Sequence, residues 1–129
     1  MQPIELKVKK DWLPVKLVDE ESGETVDTLR FYYDDDTVKN FQKHSDKFLA
    51  KIEKISQGKK SDTQIEDDIL REFFNYWLGD EAYEKLKVAQ KSIYHRKDMV
   101  IDLSLAISNA LFIMKEQQEE KQAEFYAAD

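Results

Sequence analysis

Acid–base or metal chemistry in this sequence would have to come from two histidines, His44 and His95, and three acidic runs, Asp34-Asp35-Asp36, Glu66-Asp67-Asp68 and Glu119-Glu120. The histidines stand in lysine-rich surroundings and lack the spacing that sets two imidazoles on one helical face around zinc. Both are expected at the surface or at helix ends. The Asp34 run has neither the alternating oxygens nor the glycine and distant glutamate of a calcium loop, so it reads as a turn and helix cap. Glu66-Asp67-Asp68 and Glu119-Glu120 lie in strongly polar stretches and are expected to be solvated faces whose titration nothing shifts. The absence of cysteine removes disulfides, thiolate zinc sites and thiol nucleophiles together. Three glycines leave little room for a phosphate-cradling loop, and no dinucleotide fingerprint or nucleophile elbow occurs. The expectation is a protein that is not an enzyme, with no catalytic residue, no metal ligand and no cofactor.

Binding chemistry is better represented. Lysine clusters at Lys7-Lys9-Lys10, Lys51-Lys54 and Lys59-Lys60, near Trp12 and Tyr32 as stacking surfaces, raise nucleic acid as a ligand. Most of these lysines alternate with acids, however, and 27 acidic against 20 basic side chains give a net charge of -7, which repels a phosphate backbone. No nucleic-acid partner is expected. Phe73, Phe74, Tyr76 and Trp77 pack more large rings into one helical turn than a ~100° stripe can hold. Either they fill the space between a sheet and the last helix, or Phe74 or Tyr76 belongs to a partner or self-association surface. Choosing large side chains that exceed core needs gives a partner-binding set of Phe74, Tyr76, Tyr83, Phe112 and Phe125.

The elements that would position these groups follow from periodicity. Ile4, Leu6 and Val8 alternate with Glu5, Lys7 and Lys9, which predicts a short strand with one buried face. Pro14 marks an edge or strand start, Val15 and Leu17 resume the alternation, and the polar turn at Asp19–Gly23 returns the chain through Leu29, Phe31 and Tyr33. Tyr32 and Tyr33 should point to opposite faces. The result is a β-hairpin or small three-stranded antiparallel sheet, too small to stand without helices on its apolar face. Val38, Phe41, Ser45, Phe48, Ile52 and Ile55 then predict a helix capped by Asp35 or Asp36 and stopped near Gly58. A second helix opens at Ser61 or Asp62, buries Ile65, Ile69, Phe73 and Trp77, and ends at Gly79. A third, shorter helix from Asp80 carries Tyr83 and Leu86, and Ser92 to Lys97 reads as a linker. Asp98 caps a last helix running from about Met99 towards Glu120, with Met99, Leu103, Ala106, Ala110, Ile113 and Met114 inward and an apolar band wide enough for two neighbours.

The fold class is therefore α+β, one domain over residues 1–129, with a β-rich part at 1–34, about four helices over 35–120 and a loose charged tail at 121–129. Composition agrees, since 41% hydrophobic residues supply one ordinary core. The first ten residues lack a signal peptide's apolar run, and no stretch approaches the ~20 apolar residues a bilayer demands. No membrane association is expected, and the cytoplasm of a cell, or of a host for a viral protein, is the expected place.

The stretch Ile69-Leu70-Arg71-Glu72-Phe73-Phe74-Asn75-Tyr76-Trp77-Leu78-Gly79-Asp80-Glu81-Ala82-Tyr83-Glu84-Lys85-Leu86 resembles tail assembly chaperones of long-tailed (siphovirus-type) phages and prophages of Gram-positive bacteria. In that family a helix ends in a Leu-Gly-acidic turn followed by Ala-aromatic-acidic-Lys-Ile/Leu, a short linker, a final apolar helix and a charged tail. The likeness extends upstream to the strand region, the acidic helix start and the lysine- and glutamate-rich helix. It departs at Asp80, where the family carries a second glycine, and at Ser92–His95, where it often carries Thr-Pro. The resemblance implies a protein that binds the tape-measure protein, keeps it soluble, helps tail-tube protein assemble around it and is absent from the finished virion. It also implies homo-oligomerisation along one client, and a longer frameshifted product beyond Asp129. A structural virion component, such as a head-tail connector or tail terminator, and a small phage regulator are the competing readings.

Overall fold

Leu13, Val15 and Leu17 face Phe31, Leu29 and Asp27 across an antiparallel ladder, and this pairing forms the hairpin of β1 (Trp12–Val18) and β2 (Thr25–Tyr32). The computed structural model describes residues 1–57 and 63–127. Asp19 closes the turn by accepting the Glu21 and Ser22 N–H groups at 2.9 Å each, and Gly23 supplies the positive φ of +74°. Among the described residues the sheet has two strands. The predicted strand at Ile4–Val8 is not formed: residues 1–11 lie outside any regular element, with all three apolar side chains exposed. Past Tyr33, which still bonds the Lys10 and Asp11 carbonyls, the chain enters a helix and so offers Ile4–Val8 no partner. Tyr33 is half-buried and Tyr32 exposed, on opposite faces as alternation requires.

Among the described residues four helices follow: α1 (Asp35–Gln57), α2 (Thr63–Leu78), α3 (Ala82–Ala89) and α4 (Ile93–Ala127). The cap of α1 is Asp34 rather than Asp35 or Asp36, because its carboxylate accepts the Thr37 N–H at 2.8 Å and its pKa is lowered by that bond. Asp35 and Asp36 instead occupy the first turn, where they complement the helix dipole. The predicted stop at Gly58 and start at Ser61 or Asp62 lie outside the described residues. Ser92–Lys97 is not a linker, since α4 starts at Ile93; Asp98 is inside it rather than at its cap; and it runs to Ala127 through the charged stretch. Ala106 and Ile113 are exposed rather than inward, and so is Ile65 on α2.

The core is largely aromatic. Trp77 lies 6.3 Å from Phe31 of the hairpin and 5.2 Å from Phe41 of α1, and Phe48 meets Phe73 edge-on at 5.5 Å. Leu70, Leu86 and Val100 fill the remaining space. α2 is therefore the central element, with β2, α1, α3 and α4 packed around it. Among the described residues no helix is long and apolar enough to cross a membrane.

Candidate interaction surface

Two sites are built around α4, one buried and one exposed. The buried one centres on Tyr83, fully enclosed at the junction of α2, α3 and α4. Gly79 (φ +95°) and Glu81 (φ +68°) turn the chain out of α2, and Asn75 accepts the Tyr83 N–H at 2.9 Å, fixing the start of α3. The Tyr83 hydroxyl donates to Asp67 at 2.6 Å and accepts from Arg96 Nε at 3.0 Å. Asp67 also accepts from Arg71 at 3.2 Å and Lys87 at 3.3 Å. Arg96 donates to the carbonyls of Gln90 and Lys91 at 3.0 and 2.8 Å, tying the loop before α4 to its first turn. The Tyr83 ring stacks on Phe74 at 5.8 Å and is approached within 5.4–5.8 Å by the cations of Arg71, Arg96 and Lys87.

Burial and the bond to Asp67 push the Tyr83 hydroxyl up to about 12. Burial acts to raise the Asp67 carboxyl, but hydrogen bonds from Tyr83 and Lys87 and the charges of Lys87 and Arg71 outweigh it and hold the group below the ordinary carboxylate range. Beside it, buried Glu66 accepts from Lys97 at 2.6 Å. The expectation that Glu66-Asp67-Asp68 is a solvated face is therefore wrong for Glu66 and Asp67. They are the polar interior that joins three helices.

The exposed site is a second apolar stripe on α4. Val100, Leu103 and Ile107 are buried, yet Tyr94 (76% exposed), Ile101 (53%), Leu105 (66%) and Phe112 (59%) stand in solvent. With Asp98 and Ser108 these follow at alternating four- and three-residue steps, the seam spacing of helices that pair with another helix. At the end of the stripe, Phe112 borders a hollow of about 410 Å³ formed with Tyr33, Val38, Leu111, Met114 and Lys115.

The five residues expected to contact a partner divide between core and surface. Phe74 (3% exposed) and Tyr83 (0%) are corrected to the core: Phe74 points between α2 and α3, and Tyr83 is the hub of the buried network. Tyr76, Phe112 and Phe125 are exposed. Tyr76 meets half-buried His44 at 4.5 Å with the rings tilted by 39°, which also places that histidine against aromatic rings rather than in solvent. His95 is exposed. Ile101 and Leu105, outside that expected set, are exposed as well; their four-residue spacing on the flank away from Leu103 is a readable signal, hidden because medium-sized aliphatic residues are normally assigned to the core. Comparison with family models, with curated proteins and with solved structures gives no match to this chain.

Proposed function

We propose that this protein is a tail assembly chaperone of a long-tailed phage or prophage. In this reading it is a non-catalytic domain of the host cytoplasm that binds the tape-measure protein, keeps it soluble while tail-tube protein assembles, and then leaves. The observation that carries the reading is the exposed stripe Tyr94, Ile101, Leu105 and Phe112 on a helix already anchored by its opposite face. A long amphipathic client helix exposes an apolar seam that aggregates when uncovered, and a seam of matching period masks it. The net charge of -7 keeps the resulting complex soluble. The resemblance over Ile69–Leu86 adds support from a different direction, because Asn75, Gly79 and Tyr83 within it build the turn into α3 and hold Arg96 in the first turn of α4.

Co-expression with the tape-measure protein tests this. The client should be soluble and co-purify with the wild-type chain, and Ile101→Asp/Leu105→Asp should abolish co-purification while leaving the chaperone's melting unchanged. A client that is equally insoluble with and without the wild-type chain would sink the proposal. So would recovery of this protein from purified virions by mass spectrometry, which is the outcome a connector or terminator predicts.

A further inference from the structure

Among the described residues no strand pairs with the outer edge of β1. Tyr33 N–H donates to the Asp11 carbonyl at 3.0 Å, so hydrogen-bonded pairs recur at Asp11, Leu13, Val15 and Leu17, and the backbone groups of Trp12, Pro14, Lys16 and Val18 point to the free edge. Pro14, with no N–H, is on the side where a proline is tolerated. Beside this edge Leu13, Val15, Leu103, Ala106, Ile107 and Ala110 line an apolar groove of about 220 Å³.

The same chain carries a strand-patterned segment with no sheet. Ile4, Leu6 and Val8 are 93%, 89% and 97% exposed, and they alternate with Glu5, Lys7 and Lys9. Apolar positions are even-numbered in this segment and odd-numbered in β1, so it cannot prolong β1 with a common buried face. Nor can it fold back on its own β1. Tyr33 anchors the Lys10 carbonyl through its hydroxyl at 3.1 Å and the Asp11 carbonyl through its N–H, leading the chain straight out of the ladder. Lys9-Lys10-Asp11 also lacks the glycine or asparagine of a tight hairpin turn.

We infer that residues 4–9 add as a third strand to the open β1 edge of a second copy, and reciprocally, giving a symmetric strand-exchanged dimer. Antiparallel placement of Ile4, Leu6 and Val8 opposite Leu17, Val15 and Leu13 lays three apolar side chains on the groove and sets Glu5 opposite Lys16, a pairing of opposite charges. The exchange uses the hairpin flank of α4 and leaves Ile101 and Leu105 open, so it does not depend on the chaperone reading.

Light scattering on the purified full chain should give twice the 15.3 kDa chain mass. Leu6→Asp, in a segment whose apolar side chains are exposed, and Lys16→Pro, which removes an outward N–H, should each return it to a single chain mass. A wild-type monomer, or a dimer that survives both changes, overturns the inference. Because the chain has no cysteine, Leu6→Cys mixed with Ala106→Cys should give an oxidised inter-chain product that neither variant gives alone. A chain carrying both changes that closes on itself as a monomer would instead mean the segment occupies its own groove, and would also overturn it.

Discussion

Tyr83 sits in a sequence context, Ala82-Tyr83-Glu84-Lys85, that reads as a surface helix turn, yet no part of its side chain reaches solvent. Its partners Asp67, Arg71, Lys87 and Arg96 are scattered over thirty positions, and a charge in sequence carries no mark of whether it will be paired in the interior or hydrated. That is why the buried network was illegible while the apolar core positions Phe31, Phe41, Phe48, Phe73 and Trp77 were readable from their period. Tyr83→Phe removes the donor to a buried carboxylate and should destabilise the fold by about 1–3 kcal/mol in denaturant titration. The pH dependence has a definite sign. With its folded value near 12, Tyr83 stabilises the protein fully below its unfolded pKa of about 10, and that contribution is lost as pH rises through 12. Asp67 works in the other direction: its lowered pKa gives stability that is present above about pH 4 and lost as pH falls through the folded value. Stability curves of wild type and Tyr83→Phe should therefore converge between about pH 10 and 12. Tyr76, also raised by burial and by Asp34 and Asp36, leaves a shared alkaline decline in both.

At the scale of elements, α4 is one helix with two apolar faces for its first two-thirds and none thereafter. Its 35 residues extend about 52 Å at 1.5 Å per residue, and from Lys115 to Ala127 every side chain is exposed. A wide apolar band was visible in the sequence. The start of the helix was not, because Ser92–Lys97 lacks a periodic apolar signal and Arg96, a residue usually assigned to the surface, supplies the inward contact there. The thirteen residues Lys115–Ala127 are exposed along their whole length, and isolated helices of that length are marginal in water. Truncation after Met114 should leave the melting temperature unchanged within error, and amide hydrogen exchange should show protection falling away beyond that residue. A marked drop in stability would mean this end packs against the body.

For the whole molecule, the α+β order of hairpin and four helices was legible, since the two-residue period gives way abruptly to a three- and four-residue one at the Asp34 run. The third strand was over-read: Ile4–Val8 has the pattern, but pattern reports only that a face wants covering and not that the same chain covers it. The hairpin is nevertheless integral, because Phe31 is 1% exposed and meets Trp77 in the centre of the fold. A chain lacking residues 1–33 should lose its cooperative thermal transition in circular dichroism and retain disordered helix content. The placement of the two tryptophans has a practical consequence for observing all of this. Trp77 is sealed in the core, while Trp12 lies at the base of the N-terminal segment under the cations of Lys10 and Arg30 at 5.2 and 4.2 Å. The molecule thus carries two tryptophan fluorophores in separate environments, and in a Trp77→Phe background the remaining tryptophan emission, excited beyond the tyrosine absorption band, becomes a native optical readout of events at the hairpin edge, with no label attached.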